Sequence, residues 1–173
     1  MKYVALLRGI NVAGKNRLPM KDLAELFVDA GCSRVETYIQ SGNVVFEVLD
    51  VALKGLPEAI SAAILERFGY KIPVIVRSAA QMVGVVESNP ILGTDTPEKK
   101  LHVYFLAETP GAAAVESRDP DRATQDEFAV KGLEVYLRLP NGMGRTKLTN
   151  AYFDSKLGTT FYGAELEDGL SIG

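Results

Sequence analysis

The chain has 173 residues, 47% of them apolar and 24% charged, which is ordinary for a globular protein and excludes a disordered chain. Its formal charge of −3, from 19 basic and 22 acidic residues, excludes wholesale coating of a nucleic acid and leaves a local basic site as the place to look. One cysteine, Cys32, cannot form an internal disulfide, and one histidine, His102, cannot build a His-based metal site.

No stretch approaches the roughly 20 apolar residues that span a bilayer. The opening Met1-Lys-Tyr-Val-Ala-Leu-Leu-Arg8 reads as a first strand rather than a signal peptide. A soluble protein of the reducing cytoplasm, with no membrane association and no cofactor, is the expectation.

Lys2 to Leu7 is a short apolar run rich in strand formers. Residues 9–19 form a glycine loop, and Pro19 suits the start of a helix. From Met20, Leu23, Leu26, Phe27 and Ala30 recur at helical spacing until Gly31. Val35 to Val48 reads as a hairpin turning at Ser41-Gly42-Asn43. Leu53 to Phe68 is predicted as one amphipathic helix, Ile72 to Val76 as a strand, and Ser78 to Val86 as a helix capped by Ser78. The order βαββαβ is that of a ferredoxin-like unit.

Asn89-Pro90 through Pro97 is polar and marks a boundary, which divides the chain into subdomains 1–88 and 89–173. The second half repeats the pattern on a smaller scale. Leu101 to Leu106 is a strand, Ala112 to Ser117 a short helix, Phe128 to Leu139 a hairpin around Lys131-Gly132, and Leu148 to Leu157 a helix stopped by Gly158. The expected fold class is therefore α+β, a ferredoxin-like half followed by a second, smaller α+β half.

Two basic glycine loops stand out. The first 21 residues hold Lys2, Arg8, Lys15, Arg17 and Lys21 and no acid. Within them, Arg8-Gly-Ile-Asn-Val-Ala-Gly-Lys-Asn-Arg17 lies between a strand and a helix, where helix-start N–H groups and the dipole favour an anion. It is neither a Walker A sequence nor G-x-G-x-x-G. A second acid-free stretch, Val135 to Phe153, holds Arg138, Arg145 and Lys147 around the turn Asn141-Gly-Met-Gly144. First and third strands of a βαββαβ unit lie side by side and are expected to feed helices at the same end. The two loops then occupy equivalent corners of their halves and, if the halves pack with those ends together, would converge on one cleft.

These residues also carry a resemblance. Tyr3-Val-Ala-Leu-Leu-Arg-Gly-Ile-Asn-Val-Ala-Gly-Lys-Asn16, Met20 and Thr37-Tyr-Ile-Gln-Ser-Gly-Asn-Val-Val-Phe46 resemble the DUF1697 family of bacterial proteins. Asn89-Pro90, Leu101-His-Val-Tyr-Phe-Leu106, Val135-Tyr136 and Lys147-Leu-Thr-Asn150 are similar to its later pattern. The resemblance implies two α+β halves and no established activity. It marks Arg8, Gly9, Asn11, Gly14, Lys15, Asn16, Gln40, Ser41, Gly42, Asn43 and Lys147 as motif positions. The family's Arg-Asn-Trp stretch after the last helix is missing, since Thr159-Thr160 is followed by Phe-Tyr-Gly-Ala-Glu165.

The leading functional expectation is binding of a phosphorylated or other anionic ligand, such as a nucleotide or a short single-stranded nucleic acid, through Arg8, Asn11, Gly14, Lys15, Asn16, Arg17, Ser41, Asn43, Arg145 and Lys147. An enzyme acting on a small phosphorylated substrate is the alternative, ranked lower because no general base accompanies these cations. A nucleic-acid or protein interaction module is the third reading. Tyr38, Phe46, Tyr104 and Tyr136 sit on predicted strands, but strand aromatics are more often core, and no ribonucleoprotein consensus is present.

Overall fold

The computed structural model describes residues 1–38, 42–91, 101–116, 125–159 and 161–165. It is a mixed α+β structure with two antiparallel four-stranded sheets and, among the described residues, six helices. The chain divides into two compact units, Met1–Val83 and Gly84–Gly173. No helix among the described residues is long and apolar enough to cross a membrane.

In the first unit β1 (Lys2–Leu7) is followed by α1 (Met20–Asp29), β2 (Ser33–Tyr38), β3 (Asn43–Glu47), α2 (Asp50–Leu53), α3 (Leu56–Phe68) and β4 (Val74–Ser78). The strands pair in the order β2-β3-β1-β4, all antiparallel. Alternation decides the faces. Tyr3, Ala5 and Leu7 of β1 and Val44 and Phe46 of β3 join Leu23 and Phe27 of α1 and Ile60 and Ile64 of α3 in one core. Phe46 sits at its centre, 5.1 Å from the Phe27 ring and 5.9 Å from that of Tyr3. Each such ring contributes about 1.5–3 kcal/mol by burial.

Two expected elements differ. The helix expected over 53–68 begins at Leu56 as α3, and a separate short helix, α2, ends at Leu53. The break arises because Lys54 is extended and Gly55 left-handed (φ 82°), and Pro57 in the first turn of α3 lacks the N–H that a helix continuing from Leu53 would need. The strand expected from Ile72 begins at Val74 instead. Pro73 cannot donate to the ladder, and its carbonyl receives the Arg8 N–H at 3.5 Å. The cap expected at Ser78 is a reciprocal one. The Gln81 N–H donates to Ser78 Oγ (3.1 Å) and the Ser78 N–H to Gln81 Oε1 (2.8 Å), which starts α4 (Ala79–Glu87).

The second unit holds β5 (Leu101–Leu106), α5 (Ala112–Glu116), β6 (Glu127–Lys131), β7 (Glu134–Arg138), α6 (Asn150–Leu157) and β8 (Phe161–Glu165). Its strand order, β6-β7-β5-β8, repeats that of the first sheet position by position. Phe153 of α6 is the hub of the core, edge-on to Tyr104 and to Phe128 at 5.4 Å each. Residues 161–165, where the resemblance implies a different stretch, form a strand, β8, paired with β5. Most of the expected boundary, 92–97, lies outside the described residues.

Candidate functional site

The first basic loop is a β-finger. The Asn11 N–H donates to the Asn16 carbonyl (3.1 Å) and the Lys15 N–H to the Val12 carbonyl (2.9 Å), with a bridge between Val12 and Lys15. Ala13 and Gly14 turn the chain at φ 49° and 77°, both positive, as a two-residue type I′ hairpin requires. Gly14 therefore serves the turn. The loop itself is closed by hairpin pairing, and α1 follows it from Pro19 with no side-chain cap on its first turn.

Two asparagines hold the finger. Asn11 Nδ2 donates to the Leu18 carbonyl and the Leu18 N–H donates to Asn11 Oδ1, both at 2.9 Å. Asn16 Nδ2 donates to the Gly9 carbonyl at 2.8 Å. Both asparagines have positive φ, 53° and 48°, a conformation their short polar side chains tolerate. The fold thus uses Asn11, Gly14 and Asn16 to shape and brace the loop. Lys15 and Arg17 remain on its exposed surface, with Val12 61% exposed at the tip and Arg8 half-buried at the base.

The finger is seated on the β2–β3 connection. The Leu7 N–H donates to the Gly42 carbonyl (3.0 Å), and buried Ile10 lies where a Gly42 side chain would be, with its Cδ1 2.8 Å from that position. Arg8 and Asn43 are thereby brought to the same end of the sheet, since Leu6 pairs with Asn43 in register. The Asn43 Oδ1 atom is buried without a hydrogen-bond partner among the described residues. Such an acceptor costs about 1–3 kcal/mol, and the fold offers no reason for it. Ser41 and Gln40 lie outside the described residues.

This end of the unit is electropositive. Residues 8–21, 42–43 and 69–73, joined here through Leu7–Gly42 and Arg8–Pro73, hold Arg8, Lys15, Arg17, Lys21 and Lys71 and no Asp or Glu. Beyond them, Asp22 and Glu25 of α1 are both engaged by Arg67 at 3.4 Å. Sequence reading missed Lys71, which is exposed two residues before the Arg8 partner Pro73. Only the β1–β4 pairing brings it there.

The second loop is braced by different means. The Gly142 N–H donates to the Leu139 carbonyl, Asn141 Nδ2 to Gln125 Oε1 (2.8 Å), and Thr146 Oγ1 to Asp126 Oδ2 (2.6 Å). Thr149 caps α6 by accepting from the Tyr152 N–H. Arg145 and Lys147 are exposed. Arg138 is committed elsewhere, in a two-bond pair with Glu127 that holds this carboxyl below its usual range.

Strand direction corrects the expectation of equivalent corners. β1 runs antiparallel to β3, and β5 to β7. The first loop leaves the end of the first strand of its unit, and the second leaves the end of the third. Antiparallel neighbours finish at opposite edges, so the loops occupy opposite ends of matching sheets. The topological basis for a shared cleft is removed.

Cys32 and His102 are buried residues of the two cores. Burial pushes the Cys32 thiol up from its ordinary value, away from the reactive thiolate. Native protein is accordingly expected to react with an aromatic disulfide reagent only at the rate of local opening, and full reactivity should appear on unfolding in urea. Immediate stoichiometric reaction of the native chain would contradict this placement. Of the four strand aromatics, Phe46, Tyr104 and Tyr136 are buried, whereas Tyr38 is 48% exposed.

The structure is similar to that of a conserved bacterial protein, SP0830, from Streptococcus pneumoniae. The TM-score is 0.67 at 20% sequence identity, over 96% of this chain and 93% of the other. At that identity the likeness shows the fold alone. Comparison with curated proteins finds no match. A family model described as a protein of unknown function, DUF1697, matches residues 1–136, which include the whole finger and its seat and stop short of the second loop. The chain therefore belongs to the DUF1697 family.

Proposed function

We propose that this protein binds a phosphorylated or otherwise anionic ligand at the basic end of its first unit. The observation that carries the reading is the finger itself. Five residues between Gly9 and Asn16 hold positive φ, and two asparagines brace it from the inside. Ordering a loop this way costs roughly 1–2 kcal/mol per residue in backbone entropy. The result is a preorganised pair of exposed cations, Lys15 and Arg17, in a region without a carboxylate. A braced backbone leaves only the side chains of these cations to be ordered when an anion binds.

The reading extends to Arg145 and Lys147 as a basic surface of the second unit. The repeated strand order supports describing each sheet as ferredoxin-like, with β1, α1, β2, β3, α3 and β4 as the βαββαβ set of the first. We also place the protein in the reducing cytoplasm, on the strength of its single, buried cysteine.

Thermal unfolding in the presence of inorganic pyrophosphate, sugar phosphates and nucleotides tests the site. A ligand at about 100 times its dissociation constant stabilises by about 2.7 kcal/mol. Lys15→Ala should remove most of that gain and leave the ligand-free melting temperature nearly unchanged, because Lys15 is exposed. If neither these ligands nor inorganic polyphosphate shifts the melting temperature, the anion site does not exist.

A further inference from the structure

The form of the basic end narrows what it can hold. Val12, Ala13, Gly14 and Lys15 are all exposed, so the finger is convex at its tip. A small-molecule site is concave and buries most of its ligand's surface. A projecting finger cannot enclose a small phosphate ester, but it can lie against a longer polyanion. The cations suit that arrangement, because they come from separate segments, with Arg8, Lys15, Arg17 and Lys21 on one and Lys71 on another.

An aromatic ring stands at the same end. Tyr38 is the last residue of β2, the edge strand of the sheet, and pairs in register with Asn43 beside the finger's seat. It is 48% exposed, while Phe46, Tyr104 and Tyr136 are buried. A half-exposed tyrosine at the same sheet end as a group of cations is a combination on which an unpaired base can stack while its phosphates are neutralised. A base inside a duplex is already stacked and could not use it.

We infer that the ligand of the basic end is a single-stranded nucleic acid, with Lys15 and Arg17 on the phosphates and Tyr38 stacked on a base. The inference rests on the anion-binding function proposed above. With a net charge of −3 on the whole chain, contact is confined to this patch and covers few phosphates. Binding is therefore weak and tolerant of sequence, with a shallow salt dependence set by the few phosphates contacted.

The test is fluorescence anisotropy of short labelled oligouridylate and oligodeoxythymidylate over a range of salt concentrations, with unlabelled inorganic polyphosphate as competitor. The full-length protein is expected to bind both oligonucleotides. Lys15→Ala should lower the slope of log affinity against log salt by about 0.7, the loss of one phosphate contact on a single strand. Tyr38→Ala should weaken binding about 5- to 150-fold with the salt slope unchanged, and Tyr38→Phe, which keeps the ring, should restore it. If polyphosphate binds as well as the oligonucleotides and Tyr38→Ala has no effect, the nucleic-acid inference is overturned and the anion site stands. Pyrophosphate or sugar-phosphate stabilisation without oligonucleotide binding leads to the same conclusion. Failure of every anion to bind overturns both.

Discussion

Gly42→Ala is expected to destabilise the first unit by about 2–5 kcal/mol. Two costs add. An L-residue in the left-handed region that Gly42 occupies (φ 82°) costs roughly 1–2 kcal/mol. The new Cβ would also stand 2.8 Å from Ile10 Cδ1, 3.0 Å from Ile10 Cγ1 and 3.0 Å from the Leu7 carbonyl oxygen. The Ile10 side chain is buried, and Leu7 is a paired residue of β1, so neither neighbour yields freely. Overpacking of this kind costs typically about 1–3 kcal/mol. Gly14→Ala is the internal control. Gly14 has nearly the same φ, 77°, but nothing lies within 4 Å of its added Cβ, so only the backbone cost applies. Urea unfolding of both variants separates the terms. If Gly42→Ala costs no more than Gly14→Ala, the finger is not seated on the hairpin as described.

The second large effect is expected at Asn11. Its side chain both accepts from the Leu18 N–H and donates to the Leu18 carbonyl, and Leu18 is a core residue only 1% exposed. Asn11→Ala leaves both backbone groups without these bonds, and an unsatisfied buried group costs about 1–3 kcal/mol. It also puts alanine at φ 53°. The sum is about 3–5 kcal/mol. Asn11→Gly removes the amide but suits the backbone, so it should recover roughly 1 kcal/mol of that loss and no more. A nearly neutral Asn11→Gly would show that the amide does not brace the finger. Both variants should also weaken anion binding, although neither touches Lys15 or Arg17. The cations of an unbraced finger must be ordered at the moment of binding.

The same residues show how far sequence reading reached. Strands β1 and β5 and helices α1 and α6 were legible because each rests on local signals: apolar runs, helical spacing from Met20, and glycines just past the helix ends. The importance of the basic glycine loop was legible for a related reason, since five cations without an acid in 21 residues can be counted directly. Its mechanism was misread. Arg8-Gly-Ile-Asn-Val-Ala-Gly-Lys-Asn-Arg17 suggests N–H groups gathered at a helix start, but its glycine and asparagines shape a hairpin instead. That distinction rests on hydrogen bonds between residues seven apart, Asn11 with Leu18 and Gly9 with Asn16, for which the spacing of residue types gives no sign. Ser41 lies outside the described residues, so its part in the site rests on the sequence alone.

Chain direction was the other limit. Sequence order places two basic loops after strands, but it does not say at which edge of a sheet each strand ends. Antiparallel pairing decided that, and it set the loops at opposite ends of matching sheets.

By itself, the sequence determined the local properties of this protein: α+β alternation, most helix starts and stops, a cap at Ser78, and an acid-free basic segment. Each follows from interactions within a few residues, so the order of residues suffices. Only the tertiary structure decided that Ile10 fills the space over Gly42, that Lys71 joins the cations of the finger, and that Tyr38 stays half-exposed when Phe46, Tyr104 and Tyr136 are buried. The physical reason is common to all three. Exposure and proximity depend on which strand lies at an edge and which faces are packed, and those are settled by pairing between segments far apart in the chain.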